Sequence, residues 1–559
     1  MYEDIKSKIS GEILTDDTTL TKYSHDASLL EVRPRVVIHP KDANDIKAVV
    51  KYVADHKQSD ATLSVTARAA GSCMAGGSLN ESIILDITTH MQGILGFEGE
   101  SARILPGTFY RDFEKETLTR NLLLPCFTAS KNLNTLGGMI GNNSAGEKTL
   151  RYGKMENFVD ETKVVFADGN EYLVKPLSRL NLDKKIAQGD YEGNIYKGIW
   201  ELIEKNKEVI TAGKPQVSKN SAGYYIWNVW NNGSRGESSG SPLEVSPWEP
   251  TFDLNKLLVG SQGTLGIVTE AKIRLVPVRN ETKLFVIFLP DITRISEIVN
   301  IILPLDPESV EDYDDATMKL AVKFFPEMVK TMKAGFLKMM WEFIPEAEMI
   351  LTGGIPKFVL LVEFTETTME EVDRKISSLD EQMKQFGLKT HIVESKDEAE
   401  KYWTIRRESF NLLRKHVKDR RTAPFIDDVI VDPKYMPEFL PKMRAILDSY
   451  KMTYTINGHA GNGNFHVIPL MDMHDPKSIE TIMEVGEEVY DLIAEYHGSI
   501  TAEHNDGIVR TPYLYKMYSP EILDIFQQIK TIFDPHNIFN PGKKVNGTLQ
   551  YFKSHIAKE

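Results

Sequence analysis

The chain is poor in cysteine: its 559 residues include two, Cys73 and Cys126. Two thiols cannot form a four-thiolate zinc site or a Cys-ligated iron-sulfur cluster from this chain alone, so an electron relay of that kind has to lie elsewhere. Long hydrophobic runs are missing as well. No stretch reaches the roughly 18 uncharged apolar residues of a spanning helix, and the opening Met1-Tyr2-Glu3-Asp4-Ile5-Lys6 lacks the apolar core of a signal peptide. The expected address is cytoplasmic, with peripheral attachment to a membrane partner left open. Basic charge is short too: 66 Lys and Arg stand against 80 Asp and Glu, a net charge of −14. Such a surface repels polyanions, which excludes nucleic acid as an expected partner. Internal repeats and low-complexity tracts are absent. What is present, 41% apolar and 26% charged residues, is the composition of a large globular chain with room for two to three packed domains.

From Arg35 to Asp86 the text reads strand, helix, strand, loop, strand. Val36-Val37-Ile38 is a short apolar run, Asp42 stands at a helix cap, and Ile46, Val49, Val50 and Val53 follow at helical spacing. Leu63 to Thr66 and Ser82 to Asp86 read as further strands, joined by the glycine-rich segment Ala67 to Ser78. A second turn-rich block spans Thr135 to Gly146, and a third, Val259 to Ile267, leads into the alternating run Lys272 to Pro277. Asn231 to Pro250, with Trp248, has no periodicity and reads as a surface loop. After about residue 279 longer helical patterns begin. They include the methionine-rich stretch Met318 to Met349, readable as a membrane-touching or partner-binding face or as helices packing on each other. The last helical pattern, Ile522 to Phe533, stops at Asp534-Pro535.

The loop Gly71-Ser72-Cys73-Met74-Ala75-Gly76-Gly77-Ser78 has nearly the spacing of a Walker A loop, but glycine replaces the phosphate-binding lysine. A G-x-G-x-x-G opening a helix after a strand is also missing, which argues against a nicotinamide cofactor. A nest of N–H groups that takes a pyrophosphate without a lysine remains sensible. Glycine turns are often purely structural, yet three such blocks in one half of a chain carry more weight than one.

These blocks, R-A-A-G-S-C-M-A-G-G-S, Pro106-Gly107, G-G-M-I-G-N-N-S-A-G and G-S-Q-G-T-L-G-I, occur in an order that resembles the FAD-binding domain of the vanillyl-alcohol oxidase and p-cresol methylhydroxylase superfamily. The resemblance implies an α+β fold: a two-lobed FAD-binding domain of that type plus an α+β substrate (cap) domain with an antiparallel sheet. It divides the chain into an N-terminal extension (1–34), the FAD-binding domain (35–278), the substrate and metal-binding cap (279–520) and a C-terminal segment returning to the FAD domain (521–559). It implies FAD contacts from Gly71, Ser72, Gly76, Gly77, Ser78, Pro106, Gly107, Gly137, Gly138, Asn142, Ser144, Gly146, Gly260, Gly263, Thr264, Gly266 and Ile267. Asn540, in F-N-P-G-K, would close over the flavin. Neither 67–78 nor 135–146 contains histidine, so non-covalent FAD is expected. The departures are Ala69, Ala70 and Cys73 at positions often glycine, and Gln262 where glutamate is usual.

Four ligand-type side chains recur in N-G-H-A-G-N-G-N-F-H-V, from Asn457, and T-A-E-H-N-D-G, from Thr501. Thr453 to Ile456 and Phe465 to Ile468 read as strands joined by a glycine-rich turn, which brings His459 and His466 to one end of a hairpin. Glu503 follows a third strand-like run, Gly498 to Thr501. Two imidazoles and a carboxylate suit an open catalytic metal site, whereas the H-E-x-x-H of a zincin protease is absent. Solvated or hydrogen-bonded turn histidines are the alternative. The paired motifs are similar to those of the FAD-linked D-2-hydroxy acid dehydrogenases, the D-lactate, D-2-hydroxyglutarate and glycolate enzymes. That resemblance, covering roughly 35 to 545, implies a divalent metal (zinc, manganese or iron) on His459, His466 and Glu503. It makes His504 the general base and Arg406 the clamp for the substrate carboxylate, with Arg510 a second candidate.

The implied reaction is oxidation of a D-2-hydroxy acid, such as D-lactate or glycolate, to the 2-oxo acid. The metal lowers the hydroxyl pKa, His504 takes the proton and hydride passes to flavin N5. Electrons would continue to an external acceptor: a quinone, a cytochrome, an electron-transfer flavoprotein or an iron-sulfur subunit. A homodimer is compatible with the sequence. Asn462 replaces a common aspartate, Ile468 stands where some relatives place a polar contact, and Ile426 stands where hydroxyglutarate enzymes carry lysine. A monocarboxylate or an apolar side chain is therefore expected over a second carboxylate. Two other readings stay open: a non-oxidising flavoenzyme resembling alkyl-dihydroxyacetone-phosphate synthase, and a non-catalytic flavin-binding subunit.

Overall fold

Strand Val36–His39 is followed by the helix Ala43–His56, whose start is fixed by Asp42: its carboxylate accepts the N–H groups of Asn44 and Asp45 at 2.8 and 3.2 Å. Ile46, Val49, Val50 and Val53 recur at 3.6-residue spacing and bury one face of this helix against the sheet. The sheet is completed by Ile83–Asp86, paired in parallel with Val36–His39 and Val65–Arg68, and by the antiparallel edge strand Glu12–Leu14. The first glycine loop thus runs between two parallel strands, Val65–Arg68 and Ile83–Asp86. This computed structural model describes residues 2–231, 250–323, 354–416 and 419–558. Most of the expected surface loop at 231–250 and the methionine-rich stretch beyond residue 323 lie outside the described residues. Met318 lies inside, 3% exposed, in one apolar cluster with Tyr402 and Trp403.

A second sheet is antiparallel, in the order Ile94–Glu98, Ser101–Ile104, Ile267–Arg274, Val159–Val165, Glu171–Val174. Ile267–Arg274 alternates buried and half-buried positions along its whole length, as a strand covered on one face must. Its first residue closes the third glycine block. The second block forms the short helix Leu136–Asn142, capped by Thr135 and ended by Asn143 in the left-handed conformation.

The other half of the chain carries a third, antiparallel sheet in the order Lys389–Ile392, Glu281–Leu289, Phe358–Glu366, Ser309–Asp314, Thr453–His459, Asn464–Met471, Arg421–Thr422, with Val429–Ile430 also on Asn464–Met471. The mixed fold with an antiparallel cap sheet follows the sequence expectation. The largest apolar core joins both halves, from Phe166 and Leu257 to Phe285, Leu360 and Phe526. Two local expectations need correction. Gly498 to Thr501 is not a strand, because Ser499 makes only an isolated bridge to Ile430. Ile522 to Phe533 does lie in a helix, Pro520–Phe533, but it is not the last one, since Leu549–Ser554 follows on a Thr548 cap. Between them Phe539 bridges Val65 in parallel, which carries Asn540 to the end of the first sheet.

Candidate active site

The hairpin Thr453–His459 and Asn464–Met471 pairs Asn457 with His466 and His459 with Asn464, so both imidazoles rise from the turn end of the cap sheet. Their outer nitrogens are committed. His459 Nδ1 donates to Glu311 Oε1 at 2.6 Å, and His466 Nδ1 donates to the Asp427 carbonyl at 3.1 Å. Each Nε2 is thereby left as the basic nitrogen, and the two lie 3.4 Å apart. Glu503 Oε1 is 3.3 Å from His459 Nε2, and Oε2 is 3.9 Å from His466 Nε2. Two lone pairs and a carboxylate facing one point need a shared proton or a cation. With both imidazoles oriented by outer hydrogen bonds, this donor set fits a divalent metal.

Electrostatics favour the metal-binding forms of His466 and Glu503, whereas burial and Lys219 oppose protonation of His459 but Glu311 and Glu503 outweigh them and raise it, so a cation would have to displace its proton. Burial and the neighbouring His504 pull His466 down to about 4, so it is neutral at physiological pH. Burial opposes ionisation of Glu503, but Lys219 and His459 outweigh it and hold the carboxyl well below its usual range. His504 stacks on His466 with ring centroids 5.1 Å apart, and its Nδ1 donates to Asp427 Oδ2 at 2.5 Å. Burial disfavours its imidazolium, yet Asp427 and Asp428 overcome this and push it up to about 9. Asp428 accepts the N–H groups of Glu503 and His504, each at 2.7 Å, and the Thr501 hydroxyl at 2.8 Å.

These groups open onto one cavity of about 1520 Å³, larger than the roughly 300–1,000 Å³ of ordinary small-ligand clefts. Gly71, Ser72, Gly77, Ser78, Pro106, Gly137, Gly138, Asn142, Ser144, Gly146, Gly263, Gly266 and Ile267 line it together with Arg406, His459, His466, Glu503 and His504. A Cβ on Gly141 would meet nothing within 4 Å, and one on Gly263 only the Gly266 carbonyl at 3.9 Å, so side-chain-free backbone leaves open room at these two points of the wall. Cationic Arg68, Lys131, Lys148 and Arg407 also reach the wall and suit an anionic cofactor and substrate.

Six expected residues stand behind the wall. Gly76 packs on Leu30; Gly107 sits where a Cβ would meet the Ile87 carbonyl at 2.1 Å; Gly260 lies under Asn143. Thr264 bonds Tyr224 Oη at 2.7 Å. Asn540 is fully buried and donates to the carbonyls of Gly77 and Gln262 at 2.8 and 2.7 Å, latching two glycine loops together. Arg510 is fully buried, ion-paired with Asp427 and bonded to the Asn505 carbonyl at 3.1 Å, so it braces the site from behind. Arg406 does reach the cavity, pairs with Glu311 and donates to the Gly458 carbonyl at 3.1 Å. The sequence reading missed Asp427, Asp428, Glu311 and Lys219. The one local signal was a pair of acids inside the apolar run Phe425-Ile426-Asp427-Asp428-Val429-Ile430.

Two family models match the chain: "FAD binding domain" over residues 34–173 and "FAD linked oxidases, C-terminal domain" over 280–544. The chain thus carries an FAD-binding domain followed by the C-terminal domain of FAD-linked oxidases. It is 27% identical over 545 residues to the D-2-hydroxyglutarate dehydrogenase of Pseudomonas putida, covering 96% of this chain and 51% of that protein. The chain thus spans about half the length of that relative. It is 24% identical to the glycolate oxidase subunit GlcD of Bacillus subtilis, covering 97% and 96% of the two chains. Among solved structures, p-cresol methylhydroxylase with substrate bound superposes with a TM-score of 0.64 at 16% identity, over 95% of this chain and 93% of that one, a likeness of fold.

Proposed function

We propose that this chain is an FAD-dependent dehydrogenase that oxidises a D-2-hydroxy acid of the D-lactate or glycolate kind to the 2-oxo acid and passes electrons to an external acceptor. The observation that carries the reading is the meeting of His459, His466, Glu503 and His504 with three glycine blocks around one cavity. Non-covalent FAD would lie along the glycine blocks and a divalent cation on His459, His466 and Glu503; when bound they supply a two-electron acceptor and a Lewis acid. Division of the chain near residue 279 is supported by the second family match, which starts at 280.

The protein's own groups then have distinct tasks. With Nδ1 held by Asp427, His504 presents Nε2 to the substrate; because its imidazolium is held up to about 9, the neutral fraction able to take the hydroxyl proton grows as pH rises toward that value, and Asp427 stabilises the imidazolium that results. Arg406, buried and already anchored by Glu311, offers a guanidinium to the substrate carboxylate without first having to be ordered. Ile468 lines the cavity, whereas Ile426 is fully buried and does not, so the preference for a monocarboxylate rests on other residues than Ile426. Glu147, on the wall, engages Arg407 at 2.7 and 2.8 Å. Glu363, also on the wall, is pushed up to about 8 by burial and by Glu308.

The test is anaerobic spectroscopy of the flavin-loaded protein with D-lactate, glycolate, D-2-hydroxyglutarate and the L-enantiomers. Bleaching near roughly 450 nm by a D-monocarboxylate, faster than by the diacid, supports the reading. Faster bleaching by the diacid overturns the substrate assignment, and no bleaching by any hydroxy acid overturns the activity.

A further inference from the structure

Lys219 is fully buried, and its Nζ lies 2.5 Å from Glu503 Oε1. The same oxygen is 3.3 Å from His459 Nε2, so an ammonium and the imidazole pair converge on one carboxylate. The contact is set by the backbone on both sides of the lysine. Asn462, in the turn between the two histidine strands, donates from Nδ2 to Ser218 Oγ at 2.9 Å, and Ser218 Oγ lies 3.3 Å from the Asn462 carbonyl. On the other side the Ser221 N–H donates to the Thr501 carbonyl at 3.0 Å, and Ser221 Oγ donates to the Ala502 carbonyl at 2.8 Å. The segment bearing Lys219 is therefore stitched to both turns that present His459, His466 and Glu503. A buried ammonium placed this way stabilises the carboxylate strongly, and removing it leaves an uncompensated charge.

We propose that Lys219 is a built-in counter-cation of the site: it balances Glu503 in the metal-free protein, and a divalent cation gains that carboxylate only in competition with Nζ. This rests on reading His459, His466 and Glu503 as the cation site. Two consequences follow from charge alone. The site folds into shape before any ion arrives, and its affinity for a divalent ion is held below that of the same ligands without a fixed positive neighbour. Lys219 is a positioning residue that acts through Glu503.

The experiment is equilibrium titration of the chelator-treated, flavin-loaded protein with Mn²⁺, together with thermal midpoints with and without Mn²⁺. Wild type is compared with Lys219→Met, with Lys219→Gln, which keeps a hydrogen-bond donor, with Lys219→Arg, which keeps the charge, and with His459→Asn. Lys219→Met or Lys219→Gln is expected to bind Mn²⁺ about ten-fold tighter or more. Its metal-free midpoint is expected below wild type, with the gap narrowed by saturating Mn²⁺, while Lys219→Arg stays within a few-fold of wild type. Unchanged or weaker binding in both neutral variants, with binding still abolished by His459→Asn, overturns the inference and leaves the site reading standing. Absence of Mn²⁺ binding in wild type and neutral variants alike, or binding indifferent to His459→Asn, overturns both.

Discussion

Asn142 donates from Nδ2 to the main-chain carbonyl of Glu503 at 2.6 Å, across 361 residues of sequence. Asn505 answers with its own amide, donating to the Asn142 carbonyl at 3.2 Å and the Gly260 carbonyl at 3.0 Å. Gly507 N–H donates to Gln262 Oε1 at 2.8 Å, and Ile508 N–H to the Ala75 carbonyl at 2.8 Å. The Glu503–Ile508 segment is thus clamped by all three glycine blocks, and the wall expected to hold flavin is continuous with the wall expected to hold the cation.

Cutting this clamp should disturb both sides at once. Asn142→Ala leaves the Glu503 carbonyl short of a partner, a loss of about 1–3 kcal/mol for a buried group. The expected outcome is weaker retention of FAD and of a divalent cation, both measured on the same preparation by absorbance and elemental analysis. Loss of one with the other unchanged would show that the two walls are independent.

His504 and Arg510 should separate cleanly in mutagenesis. His504→Gln removes the basic nitrogen and is expected to lower flavin reduction by at least about 100-fold while the flavin spectrum stays intact. Arg510→Met removes one of the two cations on buried Asp427, leaving His504 as its remaining partner, and its main effect is on stability, about 3–5 kcal/mol. Stopped-flow reduction rates and denaturant unfolding of the two variants check the contrast.

Asp312 gives a pH prediction. It is fully buried, neither carboxylate oxygen has a hydrogen-bond partner, and burial pushes it up to about 8 against the opposing pull of Arg406. The folded-state value lies above the unfolded one of roughly 3.9, so the folded state holds the proton. Its contribution to stability is full below about pH 4 and is lost as pH rises through 8. Asp312→Asn mimics the protonated form, and its thermal midpoint should stand increasingly above wild type as pH rises from 5 to 9, the gap widening by about 2 °C. Parallel pH profiles for the two proteins would contradict this.

Gly141 tests the open room in the wall. Since a Cβ there meets nothing within 4 Å, Gly141→Val is expected to fold with an unchanged flavin-free midpoint. The added side chain projects into space the flavin would fill, so the flavin-to-protein ratio should fall to about a tenth of wild type or less. Full flavin occupancy would place the cofactor elsewhere in the cavity.

Much of this was legible in the sequence because it is local. Asp42 capping Ala43–His56, the alternation of Ile267–Arg274 and the histidine hairpin each depend on residues a few positions apart. What was not legible is long-range and charged. Lys219 meets Glu503 across 284 residues and Asp427 meets Arg510 across 83, and in the text each is one more charged letter. Arg510 was expected on the cavity and lies behind it because Asp427, unread, takes its guanidinium. Ile426 was expected to shape the pocket, yet the carboxylates that follow it turn toward the site while it packs in the core.

The central claim is that His459, His466 and Glu503 form a cation site required for oxidation of a 2-hydroxy acid. The most direct measurement is the anaerobic rate of flavin reduction by D-lactate in the flavin-loaded protein, before chelation, after it, and after adding back Mn²⁺ or Zn²⁺. The account predicts that chelation abolishes reduction, that added ion restores it, and that Glu503→Gln is not rescued. Reduction that proceeds at the same rate after the ion is removed would contradict it.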